Sequence, residues 1–200
     1  MPYGSTQIVI KGYEDVQKEL KGLEKKAEKV VNRTIGDFKT RGPGWVSQEV
    51  MEEYTIKKKE INSTLAGKKS AGTIKVHGTK LDNIQLIYQG RMLTPTHFQM
   101  KPASRPSGSQ PYTVTHFVKK KEGRKALSHK AFLAESGSEG TIQIPFQRSG
   151  DARYPIEPIK TVSVPQMITN EKVSKEIQER INTELGKRLK HNMNTIMKKR

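Results

Sequence analysis

The 200-residue sequence contains no cysteine. Without thiols the chain has no disulfide framework and no thiolate chemistry, and a structural zinc site is not expected. No apolar run approaches the ~20 residues of a membrane-spanning helix, so we expect no contact with a membrane. The segment from Met1 to Gly12 lacks the charged-then-apolar pattern of a signal peptide, so secretion by that route is not expected.

Apolar residues are also scarce. Hydrophobic residues make up 32% of the chain, aromatic residues 6%, and the mean hydropathy is −0.75. A chain of this length can bury about 70% of its unfolded surface and so form a real core. The low apolar content still leaves much of the surface polar or shared with partners. This composition predicts one domain over residues 1–200 that contacts other molecules.

Recognisable catalytic motifs are missing as well. The sequence has no GxGxxG after a strand, no GxxxxGK[ST], no HExxH and no GxSxG. Its five histidines are not spaced as a metal pair on one helix. We therefore expect no catalytic residue, no cofactor and no metal. A metal-dependent nuclease remains an alternative, but it would need converging carboxylates, and Glu49, Glu52 and Glu53 are interpreted as a solvated helix face.

The abundant feature is positive charge, with 37 lysines and arginines against 20 acids and a formal net charge of +17. The excess is spread over the chain, and this distribution favours attraction to polyanions. The alternative interpretation is a soluble protein whose many lysines are solvated. No aromatic residues interleave the basic runs and no helix-turn-helix is evident, so contact with DNA would be independent of base sequence. The candidate DNA-facing residues are Lys57, Lys58, Lys59, Lys119, Lys120, Lys121, Arg124 and Lys125.

Periodicity predicts two long helices. Apolar residues recur every three or four positions over Glu14–Lys39, and every four positions from Thr169 to about Met197. Gly42-Pro43-Gly44 is predicted to end the first helix. A second helix over Trp45–Tyr54 and a short third over Thr55–Asn62 would follow.

Alternating segments predict strands between the helices. In Thr141–Gln147, Ile142, Ile144 and Phe146 fall on one face, which indicates a half-buried strand that pairs with Ala131–Ala134. Arg153–Pro158 is predicted to be extended because of its prolines. The remaining strand candidates are Thr6–Ile10, Thr73–His77, Asn83–Tyr88 and Thr113–Lys119.

The expected fold class is α+β, with an antiparallel sheet of long hairpins packed against long N-terminal and C-terminal helices. The single domain divides into an N-terminal strand and helices (1–65), the sheet (66–168) and the C-terminal helix (169–200). Lys101–Tyr112 is rich in proline, serine and glycine and is predicted to be a long flexible loop. The predicted core anchors are Trp45, Phe98 and Phe132, with base stacking as the alternative role of Trp45.

Five segments together resemble the phage and prophage minor tail protein Z family, a tail-completion group. They are Trp45–Ser63 (WVSQEVMEEYTIKKKEINS), Leu93–Phe98, Ala131–Ala134, Arg148–Met167, which ends in SVPQM, and Arg188–Asn192. Their order and spacing carry the resemblance. The candidate assembly residues lie in the fourth segment and are Ser163, Val164, Pro165, Gln166, Met167, Arg148 and Arg153.

The resemblance implies a structural virion protein and not an enzyme. It would be a tail-completion subunit, a tail terminator or head–tail joining protein. Its ring, commonly a hexamer, would surround the DNA channel at the head-proximal end of the tail. The expected partners are its own copies, the tail-tube or tail-terminator protein, head-connector proteins and genomic DNA, with assembly in the host cytoplasm. The alternative is a sequence-independent DNA-binding protein that acts outside a virion ring.

Overall fold

The structure is a computed structural model that describes residues 4–9, 24–62, 72–81, 83–128, 130–136 and 142–197. The fold is α+β, as the sequence predicts. The helices are α1 (Glu24–Glu53), α2 (Lys58–Ile61), α3 (Val164–Ile168) and α4 (Glu171–Met197). The strands are β1 (Gly4–Val9), β2 (Gly72–His77), β3 (Gln85–Gly90), β4 (Thr115–His116), β5 (Lys125–Ala126), β6 (Phe132–Glu135), β7 (Gln143–Arg148) and β8 (Ile156–Pro158).

The two long helices, α1 and α4, pack against each other and supply much of the main core. The stripe of α4 begins with Val173, Ile177 and Ile181, all of which are buried, as the four-residue period predicts. At the other end of the pair, the amide of Asn192 donates hydrogen bonds to Thr34 Oγ1 (3.2 Å) and Asp37 Oδ2 (3.0 Å). This buried polar contact fixes the register of the two helices. None of the helices among the described residues has the apolar length that a membrane span needs.

The prediction that Gly42-Pro43-Gly44 ends the first helix is wrong, because α1 continues through Pro43 to Glu53. Proline within a helix costs about 3 kcal/mol because it removes a hydrogen bond. Here Phe38 before the proline and Trp45 after it lie in the same core, with ring centroids 6.3 Å apart. Burial of the aromatic side chains on both sides of Pro43 outweighs the free-energy cost of the proline. The predicted start at Glu14 lies outside the described residues, and of Thr55–Asn62 only α2 is helical.

The first sheet has the order β1-β3-β2 and is antiparallel throughout. Its central strand contributes the buried residues Leu86 and Tyr88 to the main core, and α3 packs against β1 and β3. The sequence predicts these three strands to within a few residues. The predicted strand Thr113–Lys119 is reduced to β4, which pairs with β5 and, through Thr115, with Lys101. The rest of that segment forms backbone hydrogen bonds with Leu127, Phe98 and Thr55, so no regular ladder forms.

The second three-stranded sheet has the order β6-β7-β8, again antiparallel. Leu133 of β6 and Pro145 of β7 are its buried residues, and Leu133 joins a small second core with Met100 and Val114. The sequence therefore predicts this hairpin correctly but assigns its buried face wrongly. The face that carries Ile142 is the more exposed one, because the small core fills only the side of Leu133.

Candidate functional site

Two basic runs that are far apart in sequence become neighbours just beyond the end of α1. Tyr54 and Lys119 form an antiparallel backbone bridge, and the Thr55 N–H donates to the Val118 carbonyl at 3.0 Å. The Thr55 hydroxyl also donates to the Phe117 carbonyl. The chain on either side of this bridge carries Lys57–Lys59 and Lys119–Lys125. We call their side chains together the basic surface, which consists of Lys57, Lys58, Lys59, Lys119, Lys120, Lys121, Arg124 and Lys125.

The lysines of the basic surface are largely accessible. All of its members are exposed except Lys119, which is 34% exposed. Lys119 and Lys125 share one counterion, Glu122, whose pKa is lowered by their hydrogen bonds, with that from Lys125 the larger cause. Arg124 donates to the Gln99 carbonyl at 2.8 Å. Lys57, Lys58, Lys59 and Lys120 have no ion pair with any carboxylate of the described chain, so they are available to an external anion.

A further lysine joins this surface from α4. Lys172 Nζ lies 2.8 Å from Glu53 Oε2, and its hydrogen bond is the main cause that lowers the pKa of Glu53. Lys121 and Lys119 lower that pKa further through their charges. No local pattern in the sequence indicates a role for Lys172, because Glu53 lies far from it in the chain. Glu176 also lies near Lys172, with Nζ and Oε1 3.7 Å apart. The lysines and Arg124 still outnumber the three carboxylates that pair with them, Glu53, Glu122 and Glu176, so the surface keeps an excess of positive charge.

The acidic cluster of α1 is not the solvated face that its sequence indicates. Glu49 accepts a 2.8 Å hydrogen bond from Arg180, as Glu53 does from Lys172, and the two side chains are only 13% and 12% exposed. Glu52 alone of the three is exposed. The carboxylates bind α1 to α4 instead of converging on one point, so this cluster does not form the carboxylate site that metal-dependent hydrolysis requires.

The histidines near the basic surface do not converge either. His97 Nδ1 lies 2.6 Å from Glu60 Oε2, which joins the turn after β3 to α2. The His116 Nδ1 atom is buried without a partner, and burial, followed by the charges of Lys125 and Arg124, lowers the His116 pKa. Over the ranges that the structure describes, no group of three His, Asp or Glu residues could hold a metal ion.

The predicted assembly motif SVPQM forms α3 and is mostly inside the subunit. Ser163 begins the helix with a capping box: Gln166 N–H donates to its Oγ at 3.3 Å, and its own N–H donates to Gln166 Oε1 at 2.9 Å. Ser163, Val164, Pro165 and Met167 are buried, so they are not available for contacts between subunits. The motif stabilises the fold because it places α3 against the first sheet.

The other predicted assembly residues, Arg148 and Arg153, are exposed. The Arg148 guanidinium lies 5.3 Å from the centroid of the Phe132 ring, and that of Arg153 lies 5.8 Å from the Tyr154 ring. Both can contact a partner molecule, and both are already oriented by an aromatic ring.

Of the predicted core anchors, Trp45 is 8% exposed and Phe98 is fully buried, and both lie in the main core. Phe132 is only partly buried and belongs to neither core, so its assignment as a core anchor is wrong. It stacks on Phe146 across the β6–β7 pair, with ring centroids 6.3 Å apart. The side chain points away from the small core, which the alternation alone did not reveal.

The predicted long loop Lys101–Tyr112 is mostly exposed and begins where Lys101 pairs with Thr115. The two backbone hydrogen bonds of that pair are 2.9 and 2.7 Å long. The Arg105 N–H donates to Gln143 Oε1 at 2.6 Å, and the Tyr112 hydroxyl accepts a 2.9 Å bond from the Leu133 N–H. The loop therefore lies along the β6–β7 hairpin and contacts it at both strands.

No curated protein and no solved structure matches the chain. The family model described as prophage minor tail protein Z (GPZ) matches residues 10–199, a range that includes the basic surface, α3 and both long helices. The chain therefore belongs to the prophage minor tail protein Z family and is a structural protein of a phage tail.

Proposed function

We propose that the protein is a tail-completion subunit, acting as a tail terminator or head–tail joining protein. Its copies form a ring, for which we propose six members, at the head-proximal end of the tail. The ring surrounds the channel through which DNA passes and contacts the tail-tube or tail-terminator protein and head-connector proteins. Membership of the minor tail family and the basic surface next to the end of α1 support this proposal.

The basic surface carries the DNA contact in this proposal. Lysine side chains on flexible stems attract phosphates of any sequence, which suits a wall along which DNA must move. Salt screens exposed charges beyond about 8 Å at physiological ionic strength, so this attraction acts only when the lysines approach the DNA closely. A ring with the basic surface turned inward meets that condition. The role is structural, and we expect no turnover, with plasmid DNA left intact in magnesium or manganese.

The same surface favours a second candidate function, a DNA-binding protein that acts outside a virion ring. This candidate requires the isolated subunit to bind bare DNA tightly, with an affinity that falls steeply with salt. The tail-completion subunit instead needs its copies side by side to present enough positive charge. Binding of the isolated chain to DNA at two salt concentrations distinguishes the two functions.

The direct test is cryo-electron microscopy of intact tails. We expect density for this chain as a closed ring at the head-proximal end, with Lys57–Lys59 facing the channel. Absence of the chain from that end of the tail would refute the proposed position. An acidic wall facing the channel would refute the proposed role of the basic surface.

A charge test needs no image of the particle. The triple variant Lys58→Gln, Lys59→Gln and Lys120→Gln removes three exposed charges of the basic surface. We expect it to form the ring but to yield fewer infectious particles. The matched control combines Lys29→Gln, Lys39→Gln and Lys190→Gln, which removes three exposed lysines from the N-terminal part of α1 and the C-terminal part of α4. We expect this control to leave the yield near wild type. Equal losses in both variants would mean that only total charge matters.

A further inference from the structure

One face of the sheet β6-β7-β8 is apolar and contacts neither core. The register places Phe132 opposite Phe146, which lies opposite Pro158 on its other side. It also places Ala134 opposite Ile144, and Ile156 opposite Arg148. Because side chains alternate along strands, these residues share one face. We call it the apolar face, and its hydrophobic members are Phe132, Ala134, Ile144, Phe146, Ile156 and Pro158.

This face is open to contact. Ile142, which continues its alternation at the start of β7, is 54% exposed, and the hydrophobic members of the face are only partly buried or exposed. None of them belongs to, or packs against, either hydrophobic core of the described chain. The buried residues of this sheet, Leu133 and Pro145, point the opposite way. Within the described residues, the sheet therefore has one face against its own subunit and one face that packs on neither hydrophobic core.

The edges of the sheet offer few free N–H groups, which disfavours the addition of a strand by a partner. The Leu133 N–H, on the outer edge of β6, already donates to the Tyr112 hydroxyl at 2.9 Å. On the outer edge of β8, Pro158 has no N–H to donate, which leaves the N–H of Ile156. The side chains of the face therefore offer a partner more contact than its edges do.

The charged groups around the face are two guanidiniums and the Lys130–Asp151 ion pair, whose atoms Nζ and Oδ1 lie 3.6 Å apart. Arg148 lies over Phe132, and Arg153 lies beside Tyr154, which is 65% exposed. Neither arginine has a carboxylate partner in the described part of the chain. The nearby acids Glu135 and Glu157 fall on the opposite face by the strand alternation. Exposed arginine and aromatic residues around an apolar centre are typical of protein–protein contacts that contribute strongly to binding.

We propose that the apolar face docks a different protein of the tail, whose contact surface is apolar at its centre and carries carboxylates opposite Arg148 and Arg153. A second copy of the chain is a poorer occupant, because Arg148 and Arg153 need acidic partners and the chain carries only 20 acids against 37 lysines and arginines. The inference rests on the proposed function, since it takes the partner from the tail. It separates the surface for a neighbouring protein from the basic surface for DNA.

The test places the photo-cross-linking residue p-benzoylphenylalanine at position 142 of the full chain, in cells that produce phage particles. A matched probe replaces Met92, an exposed hydrophobic residue outside this sheet (46% exposed). We expect the probe at 142 to yield an adduct with a different tail protein, attached at a peptide that contains aspartate or glutamate. Adding Arg148→Glu should reduce that adduct at least tenfold without changing the melting temperature. The probe at 92 should not form it.

Three results in particles that contain the chain would overturn the inference: an adduct only with a second copy, no adduct, or an adduct that Arg148→Glu leaves unchanged. Particles that lack the chain would instead refute the proposed function. In that case the inference is tested by fluorescence anisotropy, which measures the binding of two labelled peptides to the chain. One peptide alternates leucine with glutamate and the other alternates leucine with lysine. The inference then requires the glutamate peptide to bind the wild-type chain at least tenfold more tightly, with that binding lost in Phe146→Ser. Equal affinities, or no binding, would overturn it.

Discussion

Lys172 and Glu53 join the first turn of α4 to the last turn of α1, with 2.8 Å between Nζ and Oε2. Glu53 is largely buried, and the hydrogen bond from Lys172 holds its pKa below the ordinary value of 4.5. A carboxyl group with a lowered pKa in the folded state stabilises the protein above the pKa of the unfolded chain. That stabilisation is lost as the pH falls through the lowered value.

We therefore predict that Glu53→Gln destabilises the protein at neutral pH, and that its difference from wild type shrinks as the pH falls below 4.5. Urea denaturation at a series of pH values measures the effect. Glu52→Gln is the control, because Glu52 is the exposed neighbour without an ion pair to the described chain, and its effect should be small at every pH. A Glu53→Gln difference that is the same at neutral and acidic pH would mean that the ion pair contributes nothing.

A second prediction concerns Trp45. Its indole lies in the main core beside Phe38. Trp45→Ala should destabilise the protein by about 3–5 kcal/mol, because it leaves a large cavity among residues that relax only partly. Tyr154→Ala removes an exposed ring and should change stability by no more than about 0.5 kcal/mol. A Trp45→Ala effect below about 1 kcal/mol would show that the core closes over the missing indole.

A third prediction compares two glycines of α1. A Cβ at Gly42 would lie 3.2 Å from Leu86 Cδ1 and 3.2 Å from the ring of Phe38, both of which are fully buried and cannot move away easily. Gly42→Ala should therefore destabilise the protein by about 1–3 kcal/mol, despite the better helix propensity of alanine. A Cβ at Gly36 meets nothing within 4 Å, so Gly36→Ala should stabilise by about 0.5–1 kcal/mol. If both variants were stabilised, α1 would not approach β3 as closely as described.

The parts of the fold that the sequence predicts are those with a strong local period. Val173, Ile177 and Ile181 recur at helical spacing, and all three are buried where α4 meets α1. Pro43 shows the limit of such reasoning. Its local preference ends a helix, but core packing on both sides carries α1 through it, and that packing depends on elements distant in the chain.

In the site too, the sequence predicts local features but not contacts between residues that are far apart in the chain. The lysine runs are plain in the sequence, but their meeting depends on the bridge between Tyr54 and Lys119, and the pairing of Lys172 with Glu53 spans even more of the chain. The family resemblance predicts an assembly role for the SVPQM motif, which contains Met167, because a family motif does not distinguish a buried residue from an exposed one. Only the packing of α3 shows that it stabilises the subunit.

The last prediction concerns the loop Lys101–Tyr112. Deletion of Ser104–Gln110 removes exposed residues and one backbone contact to β7, from Arg105 to Gln143. It keeps the pairing of Lys101 with Thr115 and the bond from Leu133 to the Tyr112 hydroxyl. We therefore expect the melting temperature of the isolated subunit to stay nearly unchanged, while fewer complete particles form because the loop contacts a neighbour in the tail. Replacing the same segment with glycine and serine of equal length separates the loop's sequence from its length. A large fall in melting temperature after deletion would show that the loop helps hold the β6–β7 hairpin on the small core.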